Sequence, residues 1–262
     1  MRLTEPVPAE HVAARLRGRR IVAVRRRGKF VVFDLDGGEA LIVSLRMTGQ
    51  LLFHENGAPE ERFLRAVIRF ADGTALHFAD TRKFGRMAVV DAAVLERDPP
   101  RGKAPLHESL GVEPLSRTFT VKWLSAFLQR RRRAPIKPLL LDQRGIAGVG
   151  NIYAIEALWR AKIHPLRKAG SLRAQEVARM HEALRWVLHK GIRYGGASRR
   201  DYVDARGNEG RMQREFKVYA REGEPCPRCG RAIVRTVVAG RGTFHCPRCQ
   251  RAPRAGRGAR TA

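Results

Sequence analysis

Residues 136–153 read Ile136-Lys137-Pro138-Leu139-Leu140-Leu141-Asp142-Gln143-Arg144-Gly145-Ile146-Ala147-Gly148-Val149-Gly150-Asn151-Ile152-Tyr153. The apolar run at the start and the glycines behind it predict a short helix that enters a glycine-rich loop. A second helix then follows from about Ile152 to Ala161. Glycine lets backbone approach a ligand closely, and a helix N-terminus offers unpaired N–H groups at its positive end. The Gly148-Val149-Gly150-Asn151 segment therefore fits a phosphate diester, with Asn151 able to donate a side-chain hydrogen bond. A plain helix–helix turn capped by Asn151 is the other reading, and spacing alone favours it.

Charge shifts that balance. Directly upstream lies Arg130-Arg131-Arg132-Arg133, in a chain of 262 residues with 52 Lys+Arg against 25 Asp+Glu and a net charge of +27. A positive field of this size attracts polyanions, and DNA or RNA leads the candidates. At 44% hydrophobic residues the chain has material for real cores, which excludes a wholly disordered basic tail. No segment reaches the apolar length of a membrane span. The start, Met1-Arg2-Leu3-Thr4, lacks the apolar core of a signal peptide. The expectation is a soluble, cytoplasmic, nucleoid-associated monomer.

Downstream, the only cysteines fall as Cys226-Pro-Arg-Cys229 and Cys246-Pro-Arg-Cys249. That is the spacing of a four-thiolate zinc site, in which each pair is presented by a tight turn and no coordination position stays open. Two disulfides are the competing reading, and nothing in the sequence points to export. One structural Zn2+ is expected, with short strands at 233–238 and 243–244 around Ala239-Gly240-Arg241-Gly242. His245 is a spare donor beside a set that is already complete.

Upstream of the arginines the pattern changes from helical to alternating. Residues 29–35 place Val31, Phe33 and Leu35 on one face, and Asp36-Gly37-Gly38 supplies a turn before Ala40-Leu41-Ile42-Val43. Further strands are expected at 50–53, 66–70 and 75–78, which together imply an antiparallel sandwich or flattened barrel. The stretch 97–103, rich in Pro and charge, ends this region. Helical stripes follow at Phe119, Trp123, Phe127 and Leu128, and at Val177, Met180, Leu184, Trp186, Val187 and Leu188, all expected in the core. The expected fold class is α+β and multidomain: a β-sandwich at 1–115, a helical domain at 116–222, a zinc finger at 223–251, and a disordered basic tail at 252–262.

Taken in order, these stretches resemble the formamidopyrimidine-DNA glycosylases and their endonuclease VIII relatives. The 136–165 segment looks like that family's helix–two-turn–helix signature. Arg27-Gly28-Lys29-Phe30, Ser44-Leu45-Arg46-Met47-Thr48-Gly49, Asp80-Thr81-Arg82-Lys83-Phe84-Gly85, the 195–219 segment and the four-cysteine hairpin with Arg241-Gly242-Thr243-Phe244 are similar to it as well. The resemblance covers residues 2–250 and implies excision of oxidised purines from duplex DNA, followed by strand cleavage at the abasic site. The 195–210 loop looks like the formamidopyrimidine branch, where it covers a flipped 8-oxoguanine. A base inside the duplex is out of reach and must be extruded. The resemblance gives the task of filling the vacancy to Met47, Arg82 and Phe84. On residue type alone these would be a core Met, a surface Arg and a core Phe. By the same resemblance Lys29, otherwise a solvated lysine at a strand end, becomes a catalytic cation that contacts phosphate and assists proton transfer. Arg241 grips the phosphates flanking the lesion, and Arg133 and Asn151 add DNA contacts.

The family's nucleophile is the amine of an N-terminal proline followed by glutamate. An α-amino group is suited to this because its pKa is roughly 8. This chain begins Met1-Arg2-Leu3-Thr4-Glu5-Pro6, which resembles a point inside the family's first domain. A start assigned too far downstream, a truncated gene and a non-catalytic DNA-binding relative are the three accounts, and the first is favoured because the other motifs are intact. Ser44 stands where the family has a histidine, and Phe63 stands near a second one. The rival to a bifunctional glycosylase and abasic-site lyase is a lesion- or structure-specific DNA-binding protein. A ribosomal zinc protein ranks last, because it gives no account of Met47 or of Arg82-Lys83-Phe84.

Overall fold

The computed structural model of the protein describes residues 3–4, 7–55, 62–96, 105, 107–198 and 202–253. The stretch 97–103 and the tail from 254 onward lie outside the described residues. The chain forms two compact units, Met1–Leu110 with Gly191–Arg214, and Gly111–Lys190 with Glu215–Ala262.

In the first unit a short helix α1 (Ala9–Leu16) precedes seven strands: β1 (Ile21–Arg27), β2 (Phe30–Leu35), β3 (Glu39–Ser44), β4 (Gly49–His54), β5 (Leu64–Arg69), β6 (Ala75–Asp80) and β7 (Arg86–Asp91). They make two antiparallel sheets, ordered β1-β2-β3-β7 and β4-β6-β5. Phe33, Leu35, Leu41, Val43, Met87 and Val89 of the first sheet share one core with Leu51, Leu76 and Phe78 of the second, closed by Val12 of α1. This is the sandwich the alternation implied. The chain changes sheets twice, at 45–48 between β3 and β4 and at 81–85 between β6 and β7.

Three details differ from the sequence reading. Strand β2 is buried on both faces, with Phe30 8% and Val32 0% exposed, so alternation showed only one of them. Strands β1 and β7 were not foreseen. Lys29 is not in a strand: Arg27 pairs with Phe30, which leaves Gly28-Lys29 as a two-residue hairpin turn. Gly28 has φ +60°, and a positive φ at the first central residue alone is what a type II′ turn requires of glycine.

The second unit holds α2 (Val121–Arg130), α3 (Ile136–Leu141), α4 (Asn151–Ala161), α5 (Ala174–Arg193, which runs on past the unit's edge) and a hairpin of β8 (Val234–Val238) and β9 (Arg241–His245). Its core joins Phe119, Leu124, Phe127, Leu128, Ile136, Leu140, Ile146, Leu158, Met180, Leu184 and Val187, so the two helical stripes are mostly interior. Trp186 is the exception. It is 37% exposed, with the Arg160 guanidinium 4.0 Å and the Lys190 ammonium 4.8 Å from its ring centre. Two cations against the indole are compatible with exposure, because the ring face attracts positive charge. The hairpin turn is Ala239-Gly240, with φ +50° and +69°, so Arg241 and Gly242 belong to β9 and not to the turn.

No helix among the described residues is long and apolar enough to cross a membrane.

Candidate nucleic-acid interface

In the first unit the two sheet-changing turns carry three of the expected site residues. Met47 is 67% and Phe84 46% exposed, so neither is a core residue. Arg82 joins them: its guanidinium Nη1 lies 3.3 Å from the Met47 sulfur and its Cζ 4.8 Å from the Phe84 ring centre. A thioether and an aromatic plane held at the surface around a cation make the chemistry of a contact surface and not of a core. Beneath it Asp80, 1% exposed, accepts hydrogen bonds from Thr48 Oγ1 (2.5 Å), Arg82 N (3.1 Å) and Gly85 N (2.7 Å). Burial pushes the Asp80 carboxyl up, and these bonds together outweigh it, so its pKa lies below the usual range. Gly85 is required here because any Cβ would run into the Phe78 ring.

Lys29 is exposed on its hairpin turn. Ser44 is 5% exposed at the end of β3, opposite Phe30. Phe63 is 40% exposed with φ +67°, and the Arg62 guanidinium lies 4.8 Å from its ring centre. Of the 195–210 loop, 199–201 lie outside the described residues. The rest is held at its base by Gly210 N to Ser198 Oγ (2.8 Å) and at its tip by Phe53 N of edge strand β4 to Ala205 O (2.7 Å).

The second unit gathers a separate set. Gln143 organises the loop between α3 and α4: its amide donates to the Leu141 and Val149 carbonyls, and its oxygen accepts the Gly148 N–H, each at 2.9 Å. Gly148 sits at φ +88°, where a side chain would be strained. The N-cap of α4 is Gly150, so Asn151 is the first helical residue and not the cap. Its Nδ2 donates to the Gly242 carbonyl of β9 at 3.1 Å, while Oδ1 is buried without a partner among the described residues. Arg241 is exposed at the first position of β9, and Arg133 is exposed in the turn after α2.

Lys137 was missed by sequence reading. It is fully buried on α3, and its Nζ has no hydrogen-bond partner among the described residues. Burial and then repulsion from Arg241 lower its pKa to about 8. A buried, unpaired ammonium beside another cation favours an anion. The only sequence signal was a lysine flanked by Ile136, Leu139 and Leu140, and that pattern alone also describes a solvated helix edge.

The four cysteine sulfurs lie within 4.8 Å of one another. Sulfurs each ~2.3 Å from one tetrahedral ion are spaced roughly 3.8 Å apart, so the set fits zinc. Two N–H groups orient the sulfurs, one from a neighbouring helix and one from the set's own backbone: Trp159 Nε1 donates to Cys226 Sγ and Cys249 N to Cys246 Sγ, both at 3.4 Å. Burial raises the Cys226 thiol, and the Trp159 bond and backbone N–H groups outweigh it and hold it below its ordinary range, while burial pushes the Cys246 and Cys249 thiols up; a bound metal would hold all four as thiolates. Arg228 stacks on Trp159 at 4.2 Å and donates to the Trp159 and Arg160 carbonyls at the end of α4. On the same helix buried Glu156 accepts the N–H groups of Lys217, Val218 and Tyr219 at 2.8–3.0 Å, which fixes the chain leading into the finger. Burial raises its pKa against those bonds.

Comparison with known proteins gives three matches in chain order. They are the formamidopyrimidine-DNA glycosylase N-terminal domain over residues 1–87, the formamidopyrimidine-DNA glycosylase H2TH domain over 110–203, and the zinc finger found in FPG and IleRS over 223–252. The formamidopyrimidine-DNA glycosylase of Roseiflexus sp. (strain RS-1) is 48% identical over 246 residues, 94% of this chain and 86% of that protein. Among solved structures, Lactococcus lactis Fpg in complex with abasic-site DNA is similar at TM-score 0.83 and 37% identity, over 93% of this chain and 86% of that one. The MutM (Fpg) protein of Thermus thermophilus is similar at TM-score 0.77 and 44% identity, over 89% and 84%.

Proposed function

The chain belongs to the formamidopyrimidine-DNA glycosylase family, and on that premise we infer that it is a base-excision repair enzyme: a DNA glycosylase that removes 8-oxoguanine and formamidopyrimidines from duplex DNA and, as an abasic-site lyase, then cuts the strand. The observation that carries this reading is the exposed cluster of Met47, Arg82 and Phe84 on two adjoining turns. Bare duplex offers no cavity for such a group, whereas a duplex with one nucleotide extruded does.

The residue roles follow from chemistry. Met47 and Phe84 occupy the vacated stack, and Arg82, a cation with a planar head, faces the unpaired base. Lys29 contacts a lesion-flanking phosphate and assists proton transfer during elimination. Arg241 and Arg133 neutralise backbone charge. The first N–H groups of α4 and the Lys137 ammonium complete an anion site beside Arg241, and Asn151 holds β9 in place through Gly242. The bound zinc supplies a closed structural centre and no chemistry on the sugar. Each phosphate neutralised steepens the salt dependence of binding by about 0.9 in the log–log slope. With a net charge of +27, the protein works in the cytoplasm at the nucleoid.

The test is borohydride trapping. An amine that displaces the base at C1′ leaves an imine with the opened sugar, and borohydride reduces it to a stable protein–DNA adduct. Protein from its own cells, incubated with an 8-oxoguanine duplex, is expected to give that adduct. No adduct at full occupancy would favour the DNA-binding relative. Separately, Arg241→Ala is expected to weaken binding to abasic-site DNA about tenfold and lower the salt slope by about 1, with zinc content unchanged. Equal affinities would remove Arg241 from the clamp.

A further inference from the structure

Asp80 does more than end a strand. It is the last residue of β6, paired with Gly49, the first residue of β4, so it stands where both sheet-changing turns meet. One carboxylate oxygen accepts Thr48 Oγ1 from the 45–48 turn and Arg82 N from the 81–85 turn, and the other accepts Gly85 N. Arg82 N is also 3.2 Å from Thr48 Oγ1, which closes a triangle across the two turns. An ionised carboxylate only accepts, and here every group facing it is a donor. The neighbouring cation Arg65 bonds the Asp80 carbonyl at 2.9 Å and not the carboxylate.

Each turn also needs to be held. Arg46 in the first and Lys83 in the second adopt φ +53° and +58°, a region that residues with a Cβ enter only when their surroundings impose it. Met47 follows Arg46 directly, and Lys83 lies between Arg82 and Phe84. We propose that Asp80 is a positioning residue for base extrusion, a buried carboxylate that sets the spacing of the two turns so that Met47, Arg82 and Phe84 enter the duplex as one unit. This rests on the void-filling role of those three residues. Asp80 itself touches no DNA.

The experiment uses the full protein and a duplex carrying tetrahydrofuran, an abasic analogue that cannot be cleaved, with 2-aminopurine as the adjacent base. Insertion next to the probe changes its fluorescence, which is read at saturating protein. Asp80→Asn replaces one acceptor oxygen with an NH2 that faces N–H donors. It is expected to lose at least half of the fluorescence change at saturation and to weaken binding about tenfold, while the salt slope, set by phosphate contacts, stays as in wild type. Thr48→Val leaves the Asp80 carboxylate in place but removes the hydroxyl that bonds it and accepts Arg82 N, and it guards against a misfolded Asn variant; a partial loss is expected. Met47→Ala and Phe84→Ala are the controls. If both controls lose the signal while Asp80→Asn or a folded Thr48→Val keeps all of it, the proposal is overturned and the void-filling reading stands. If neither control loses it, that reading falls and the proposal with it.

Discussion

Stripping zinc from the protein is expected to lower its affinity for duplex DNA by at least ~100-fold while most of its helical ellipticity remains. The finger's own core is small: Ile233, Cys226 and Cys246 packed with Val218 and Ile155. Structural zinc supplies about 10–16 kcal/mol to isolated fingers, far more than so few apolar contacts can replace. The helical core contains no finger residue, so α2, α3 and α5 have no reason to melt with the metal. Hairpin β8–β9 does, and with it go the placement of Arg241 and the Asn151–Gly242 bond. Three readings on one chelated sample check this: metal content, far-ultraviolet circular dichroism, and anisotropy with a tetrahydrofuran duplex. A metal-free protein that binds as tightly as the holoprotein would show that the hairpin is no part of the clamp.

Lys137→Met is expected to make the protein more stable and worse at its task. The lysine is fully buried with no hydrogen-bond partner among the described residues, and its pKa lies at about 8 against an ordinary 10.5. A depressed lysine pKa means that the unfolded chain holds the proton more tightly than the folded one. Between pH 8 and 10.5 the unfolded state therefore carries more protons, and stability rises with pH across that window. At pH 7 the buried charge destabilises the fold, and methionine, close in shape and apolar, removes the penalty. A gain of roughly 2 kcal/mol is the right order, read as a shift in the urea midpoint. Affinity for abasic-site DNA should fall about tenfold, since an unpaired ammonium at an anion site contributes most once a phosphate arrives. Wild-type affinity should decline between pH 7 and 9 as Lys137 loses its proton, and the variant should lack that component. A destabilised variant, or one with unchanged binding, would remove Lys137 from the phosphate site.

How much of this was legible in the sequence depended on whether a signal was local. Strands β2 to β6 could be read because apolar residues recur with turn chemistry between them. Strand β1, Ile21-Val22-Ala23-Val24-Arg25-Arg26-Arg27, ends in three arginines, and its Val22 and Val24 are 61% and 63% exposed. An edge strand with one wet face and a basic end reads as a charge run. Helix α1 buries only Val12, too little for periodicity to register. Trp186 was placed inside because its spacing fits the stripe; Lys190 lies one turn on in the same helix, but no local rule sees Arg160, which comes from α4. The four cysteines and the glycine loop announced themselves by spacing. Asp80 and Lys137 could not. A carboxylate at a strand end and a lysine on a short helix are ordinary on a surface, and only the tertiary fold removes water from them. Met47 is distant in sequence from Arg82 and Phe84, and it took the two sheet-changing turns to bring them together.

Helix α4 carries one more implication, for the way such a chain can change over evolutionary time. Its first residue holds β9 through Gly242, and its last turn holds Cys226 through Trp159 and receives Arg228. These attachments are set by the screw of the helix, where one residue more or less turns everything beyond it by about 100° and moves it about 1.5 Å. A single-residue insertion in α4 could satisfy one end of the finger only by releasing the other. Lineages of this protein can lengthen surface loops freely, but α4 and the finger must be inherited as a matched pair. A finger transplanted from elsewhere would arrive with its metal and without its ruler.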